Sequence, residues 1–213
     1  MTQSPAQGLP ELQAWFASEL AASTPSGVTP VAPRDVFVVP GTQSGLSSVF
    51  RSLAGPGHTV IMESPTYWGA ILAAKLAGVR IVPVTSDSGG PDPEDLERAF
   101  DESGARVFYA QPTFANPTGA QWSQERRDRV LAVVREHGAF LVEDDWAHDF
   151  AIDGEAVPMA AYDDTGHVVY IRSLTKSVSP AVRIGAVIAR GPVRERLLAD
   201  RSAESMYVSG VLQ

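Results

Sequence analysis

One lysine in this chain lies among residue types that could activate its amine and bind an anion beside it. Lys176 follows Ser173 and precedes Pro180, Arg183 and Gly185 at fixed spacing. A partly desolvated lysine near other cations loses basicity and can act as a Schiff-base nucleophile, while serine and the rigid fork of arginine suit a phosphate. The pattern predicts a site for a phosphorylated aldehyde cofactor. The alternative is that Lys176 and Arg183 are solvated charges on a loop.

A second group of polar residues follows an apolar run at residues 140–142. Glu143, Asp144 and Asp145 come directly after this run, and Trp146 follows them. A carboxylate at a strand end can keep a pyridine nitrogen protonated, so that the ring becomes an electron sink for a carbanion. We assign this function to Asp144. A solvated acidic loop or a helix N-cap is the alternative.

A third segment places an amide after another strand-like run. Asn116 precedes Pro117, which disfavours the helical region for Asn116, and Gly119 permits a sharp exit from the turn. The Asn116 amide could therefore face a ligand and donate to a phenolate oxygen. The same four residues, 116–119, are also typical of an ordinary turn.

A fourth segment combines a strand-like run, a glycine-containing turn and helix-like apolar spacing over residues 46–53. Backbone N–H groups and the positive end of a helix dipole would then lie where a phosphate can bind. Thr42 and Gln43 are the predicted donors. A plain strand-to-helix turn is the alternative, because the P-loop pattern is incomplete.

Together the four segments resemble fold-type I pyridoxal-phosphate enzymes of the class I/II aminotransferase family. Residues 8–12, which are similar to the family's first helix, and residues 63–67 extend the resemblance over nearly the whole chain. The resemblance implies pyridoxal 5'-phosphate as the cofactor, bound as an internal aldimine. It implies the following contacts: Lys176 for the aldimine, Asp144 for the pyridine nitrogen, Asn116 for the phenolic oxygen, Tyr67 for ring stacking, and Ser173, Arg183, Thr42 and Gln43 for the phosphate.

Within the family, residues 143–150 and 173–180 are most similar to the effector domain of MocR-type regulators, which join an aminotransferase-like domain to a GntR-type winged helix. Trp146 stands where these proteins usually carry a tyrosine that reaches the cofactor's phenolic oxygen. Two functions remain. One is an aminotransferase that moves amino groups between an amino acid and a keto acid. The other is a cofactor-binding sensor in a transcriptional regulator, whose winged helix would not fit in the residues ahead of Gly8.

Composition narrows the class of protein. The 213 residues are 44% hydrophobic, and no apolar run is long enough to cross a membrane. The net charge of −8 and the dispersed basic residues argue against nucleic-acid contact by this chain. Cysteine is absent, and the four histidines fit no metal-ligand spacing. We therefore expect no metal site. The sequence has no signal-peptide pattern, so we expect a cytoplasmic protein.

Strand-like runs alternate with amphipathic stretches, which predicts crossover connections and a largely parallel sheet. We predict one domain, residues 1–213, of the α/β class: a three-layer α/β/α arrangement with a largely parallel mixed sheet, which the resemblance identifies as a fold-type I large domain. The predicted strands are residues 36–39, 59–62, 80–84, 106–110, 140–143, 168–171 and 184–189, and the predicted helices include 69–76, 92–100 and 123–136, with helix starts at Asp92 and Ser123.

The sequence ends at Gln213 without a polar tail or a helix cap. In the resembled family the chain continues into a further portion of the large domain and a small domain, which carries the arginine for the substrate carboxylate. Family members are usually homodimers. The resemblance therefore implies that this chain lacks its small domain. We expect uncovered apolar surface at residues 184–189 and 208–212.

Overall fold

Short runs rich in β-branched and aromatic residues form the strands of this chain, as their β-propensity favours. The computed structural model describes residues 6–151, 157–204 and 209. Its strands are β1 (Val36–Val39), β2 (Thr59–Ser64), β3 (Arg80–Asp87), β4 (Gly90–Pro91), β5 (Val107–Ala110), β6 (Phe140–Asp145), β7 (Val168–Ser173) and β8 (Gly185–Ile188). Its α-helices are α1 (Pro10–Ala22), α2 (Thr42–Leu53), α3 (Trp68–Leu76), α4 (Pro93–Ser103), α5 (Gln124–Glu136), α6 (Met159–Tyr162) and α7 (Gly191–Glu204).

The strands form one eight-stranded mixed sheet in the order β1-β8-β7-β6-β5-β2-β3-β4. The pairs among β2, β3, β5, β6 and β7 are parallel, whereas β8 runs antiparallel to both β1 and β7. The connection from Ser173 to Gly185 is too short for a crossover, because a parallel return needs a dozen or more residues and usually a helix. The predicted largely parallel sheet is confirmed, with β8 as an antiparallel strand inside it.

Helices cover the sheet on two faces. One hydrophobic cluster includes residues of α1, α4, α5 and α6, and the other includes residues of α2, α3 and α7. The central strands β5 and β7 are buried along their whole length, as expected for strands covered on both sides. The predicted three-layer α/β/α arrangement is confirmed.

Two predicted helix starts are confirmed by their capping hydrogen bonds. The Asp92 carboxylate accepts from the backbone N–H of Glu94 at 2.9 Å, and the Ser123 hydroxyl oxygen accepts from the N–H of Arg126 at 3.2 Å. Each bond satisfies a donor that the first helical turn leaves without an intrahelical partner.

The expectation of uncovered apolar surface at residues 184–189 is wrong. Ile184, Val187 and Ile188 are each 2% exposed, because β8 lies between β1 and β7 with helices on either side. Val208 and residues 210–212 lie outside the described residues. Apolar exposure is found instead on α3, where Trp68, Leu72 and Leu76 are 69%, 43% and 77% exposed. These three residues, four apart and therefore on one side of the helix, are called the α3 stripe below.

Among the helices that the structure describes, none combines the length and the apolar character needed to span a membrane. Over the same residues, no group of three or more His, Cys, Asp or Glu side chains is arranged to hold a metal ion.

Candidate active site

The predicted site residues line a single cavity of about 210 Å³. Strand ends and the turns after them supply its walls, as in open α/β sheets, where ligands bind beyond the carboxyl ends of the strands. The lining includes all nine predicted residues, Thr42, Gln43, Tyr67, Asn116, Asp144, Trp146, Ser173, Lys176 and Arg183. It also includes Gln111 and Thr175, which the sequence analysis missed.

Asp144 lines this cavity, and its two carboxylate oxygens differ in their hydrogen bonding. Its Oδ2 accepts from the Tyr109 hydroxyl at 2.8 Å and from Nε2 of Gln111 at 3.0 Å. Its Oδ1 is buried and has no hydrogen-bond partner among the residues that the structure describes. Burial raises the pKa of Asp144 to about 6, against the two donors, which lower it. Oδ1 of Asp144 can therefore accept a hydrogen bond from one more donor.

The two neighbouring carboxylates point to the other face of the sheet, because side chains alternate along a strand. Glu143 accepts from the backbone N–H groups of Met159 and Ala160 at 2.9 and 3.0 Å, at the start of α6. Asp145 accepts from the Tyr170 hydroxyl at 2.6 Å. Of the three carboxylates, only Asp144 lines the cavity.

The cavity wall also includes Arg183 and the first turn of α2, which are groups that can contact an anion. Gly41 has φ of +86°, in the region that favours glycine, and α2 begins at the next residue, Thr42. A β-carbon at Gly41 would lie 2.4 Å from Nη2 of Arg183, so glycine leaves the room that the guanidinium occupies. The first-turn N–H groups of α2 and the Arg183 fork thus lie at one place, with Ser173 also in the cavity wall.

Gln43 has a structural task in addition. Its Nε2 donates to the backbone oxygen of Gly69 at 2.7 Å, which joins α2 to the start of α3. Its backbone N–H lies in the first turn of α2, where N–H groups have no intrahelical partner.

Two aromatic residues complete the cavity. Tyr67 precedes α3, and a β-carbon at Gly69 would lie 2.3 Å from its ring, so a glycine is needed beside it. The indole Nε1 of Trp146 donates to the backbone oxygen of Phe114 at 3.1 Å. Trp146 therefore contributes a ring surface to the cavity.

Lys176 lies in the turn that follows β7, at the mouth of the cavity, and its side chain is exposed. The residue before it, Thr175, is buried, and its hydroxyl oxygen has no hydrogen-bond partner among the described residues. The hydroxyl type of Thr175 and its position next to the lysine are the signal that could have identified it. Gln111 gives a similar signal, because it is polar and directly follows the apolar strand β5.

The doubly covered mixed sheet and the cavity at its strand ends define an aminotransferase-type α/β domain. Residues 3–213 match the family described as "Aminotransferase class I and II", and the chain belongs to this family.

Relatives include both regulators and enzymes. The chain is 35% identical over 207 residues to "Probable rhizopine catabolism regulatory protein MocR" of Rhizobium meliloti, covering 97% of this chain and 41% of that protein. It is 30% identical over 209 residues to 2-aminoadipate transaminase of Thermus thermophilus, covering 96% of this chain and 50% of the enzyme. The chain thus spans half or less of the length of these curated relatives.

Solved structures of aminotransferases have the same fold as this chain. The crystal structure of an archaeal alanine:glyoxylate aminotransferase superposes with a TM-score of 0.88 at 28% identity, covering 99% of this chain and 53% of that one. LysN, the alpha-aminoadipate aminotransferase of Thermus thermophilus, superposes with a TM-score of 0.86 at 28% identity, over 99% of this chain and 53% of its own. The LysN crystal holds N-(5'-phosphopyridoxyl)-L-leucine. Family and neighbours together imply dependence on pyridoxal phosphate.

Proposed function

We propose that this chain binds pyridoxal 5'-phosphate and that the protein to which it belongs transfers amino groups between an amino acid and a keto acid. The observation that carries this proposal is the state of Asp144. Its Oδ1 is buried and lacks a partner within the described residues, in a cavity that Lys176 and Arg183 also line.

The residues present fit the cofactor. Leaving a buried acceptor without a donor costs about 1–3 kcal/mol, and a protonated pyridine nitrogen would supply the missing donor. At the other end, Arg183, Ser173 and the first turn of α2 would hold the phosphate. The Lys176 amine would bond to the aldehyde carbon of the cofactor.

Pyridoxal phosphate, when bound, supplies an electron sink for a carbanion at the substrate's α-carbon. Side chains of this protein would bind the cofactor and move the proton. Asp144 would keep the ring nitrogen protonated, the Tyr67 ring would pack against the cofactor, and the Asn116 amide would donate to the phenolic oxygen. The Lys176 amine would move the α-proton as a general base and acid.

A sensor is the second candidate function, and a specific observation favours it. The 35% identity to the MocR protein of Rhizobium meliloti extends over 97% of this chain. In a regulator, cofactor or amino-donor binding would shift the arrangement of domains, and a DNA-binding part outside this chain would respond to the shift.

The full-length protein tests both candidates. Sustained conversion of an amino acid and a keto acid acceptor, lost in a Lys176→Ala variant, would support the enzyme. Binding of pyridoxal phosphate without turnover, together with DNA binding that changes with the amino donor, would support the sensor. A full-length protein that bound no pyridoxal phosphate would refute both.

A further inference from the structure

Gln111 contacts both sides of the cavity through one side chain. Its Nε2 donates to Oδ2 of Asp144 at 3.0 Å, and its Oε1 accepts from the backbone N–H of Asn116 at 2.9 Å. Its own backbone N–H donates to Oε2 of Glu63 at 2.8 Å. The side chain is buried, with 2% of the residue exposed.

We infer that Gln111 is a positioning residue, which fixes Asp144 and the Asn116 turn relative to each other. This inference rests on the proposed function, in which Asp144 serves the ring nitrogen and Asn116 the phenolic oxygen of one cofactor. Both atoms belong to the same rigid ring, so their protein partners must keep a constant separation. A single planar amide that contacts both partners provides that constraint.

The chemistry of the partners explains why an amide is used. An ionised carboxylate only accepts hydrogen bonds, and a backbone N–H only donates. Glutamine offers a donor and an acceptor on one planar group, so its orientation is set by these two contacts together. A methionine of similar length can make neither bond.

The neighbours of Gln111 keep this bridge in place. Glu63 holds the backbone at Gln111 and also accepts from Nε1 of Trp122 at 3.2 Å, which ties both ends of the intervening loop to β2. Tyr109 donates to the same Oδ2 of Asp144 as Gln111 does. With two donors on Oδ2, the carboxylate cannot rotate freely, and Oδ1 keeps its buried position without a partner among the described residues.

A cofactor analogue separates this function from ordinary packing. We would measure the dissociation constants of pyridoxal phosphate and of its deaza analogue, in which a carbon replaces the ring nitrogen, for the parent protein, Gln111→Met and the matched control Gln124→Met. Gln124 is an exposed glutamine on α5. Without this bridge Asp144 is no longer held in place for the ring nitrogen, so binding of pyridoxal phosphate to Gln111→Met should weaken by about tenfold. Binding of the deaza analogue should weaken less, because it keeps the contact with Asn116 but makes none that depends on Asp144.

A second measurement does not involve the cofactor. In the free protein, hydrogen exchange at the Asn116 amide should be faster in Gln111→Met than in the parent and in Gln124→Met, because its acceptor is gone. Should Gln111→Met fail to fold, Gln111→Asn carries the same two expectations, since its amide is one carbon too short to contact both partners.

Equal losses for both cofactors would contradict the positioning of Asp144 and overturn the inference, as would no loss for either. Unchanged exchange at Asn116 would contradict the bridge itself. A parent protein that bound neither cofactor would instead refute the proposed function, so the two failures are distinguishable.

Discussion

The indole N–H of Trp146 is bonded to the backbone oxygen of Phe114, 3.1 Å away. An indole has a single donor, so this bond removes Trp146 from the donors that an oxygen in the cavity could use. Asn116, in the same cavity wall, is then the predicted amide donor for the cofactor's phenolic oxygen.

Introducing a hydroxyl at position 146 should change the pKa of the imine that the cofactor forms. A tyrosine there would donate to the phenolate, weaken its hold on the imine proton and lower the pKa of the Lys176 imine. A hydrogen bond to a charged acceptor contributes about 1.5–3 kcal/mol, so we expect a fall of about one pKa unit for imperfect geometry. Spectrophotometric pH titration of Trp146→Tyr and of the control Trp68→Tyr would measure it. An unchanged or raised pKa would mean that position 146 does not face the phenolic oxygen.

The lysine assignment predicts one site of covalent attachment. Borohydride reduction of the protein loaded with pyridoxal phosphate should fix the cofactor on Lys176, because it lines the cavity together with Arg183. Lys75, on α3, is the only other lysine in the sequence and serves as an internal control. Peptide mapping that placed the label on Lys75, or found none, would contradict the assignment.

Asp144 and Asp145 should behave differently when replaced by alanine. Asp144→Ala should slow the half-reaction with an amino donor far more than it weakens cofactor binding, because the phosphate contacts remain. Asp145→Ala removes the acceptor for the Tyr170 hydroxyl and should mainly lower the free energy of unfolding, by about 1–3 kcal/mol. Half-reaction rates and urea unfolding of the two variants would test this, and the reverse ranking of rates would place the site on the wrong carboxylate.

Buried carboxyl groups predict how stability depends on pH. Burial raises the pKa of Glu63 from 4.5 to about 7, against hydrogen bonds that lower it. A folded-state pKa above the unfolded one means that the folded protein binds the proton more tightly. Stability from this group is therefore full below about pH 4.5 and is lost as pH rises through 7, by on the order of 3 kcal/mol. Glu143 acts in the same direction, since burial also raises its pKa to about 7.

Urea unfolding between pH 4.5 and 8 would measure this loss. Glu63→Gln, which does not titrate, should show a shallower fall in the free energy of unfolding than the parent, although it is less stable because it loses an acceptor. The exposed Glu136→Gln is the matched control and should follow the parent. A parent protein whose stability rose with pH over this range would contradict the prediction.

The α3 stripe should make the chain associate. Trp68 and Leu76 are 69% and 77% exposed, and covering a large apolar side chain contributes about 1.5–3 kcal/mol. Sedimentation velocity should show a concentration-dependent dimer that Leu76→Glu weakens and that Gln124→Glu, with the same charge change on α5, leaves intact. A monodisperse monomer at all concentrations would refute it.

Local patterns in the sequence were sufficient for every strand except the two-residue β4, and for polar residues that follow the strands. Asp144, Asn116 and Ser173 were predicted because polar types follow apolar runs. Gln111 was missed because its function depends on Asp144, 33 positions later in the chain. In that segment of sequence, the pattern of the Asn116 turn was a stronger signal than the isolated Gln111.

The position of β8 was another limit of the sequence. Its apolar pattern indicates a strand, but whether that strand lies at an edge or between two others depends on the order of strands in the sheet. Placing it between β1 and β7 buried Ile184 and Val187, which the expectation of exposed surface had not foreseen.

Adjacent carboxylates on β6 face opposite sides of the sheet, which restricts how this strand can evolve. Inserting or deleting one residue would turn Asp144 away from the cavity and present Glu143 or Asp145 in its place. The same shift would leave the N–H groups at the start of α6, or the Tyr170 hydroxyl, without an acceptor. We expect homologous proteins to vary β6 by substitution alone and to accept changes of length in the hairpin between β3 and β4, where no cavity residue lies.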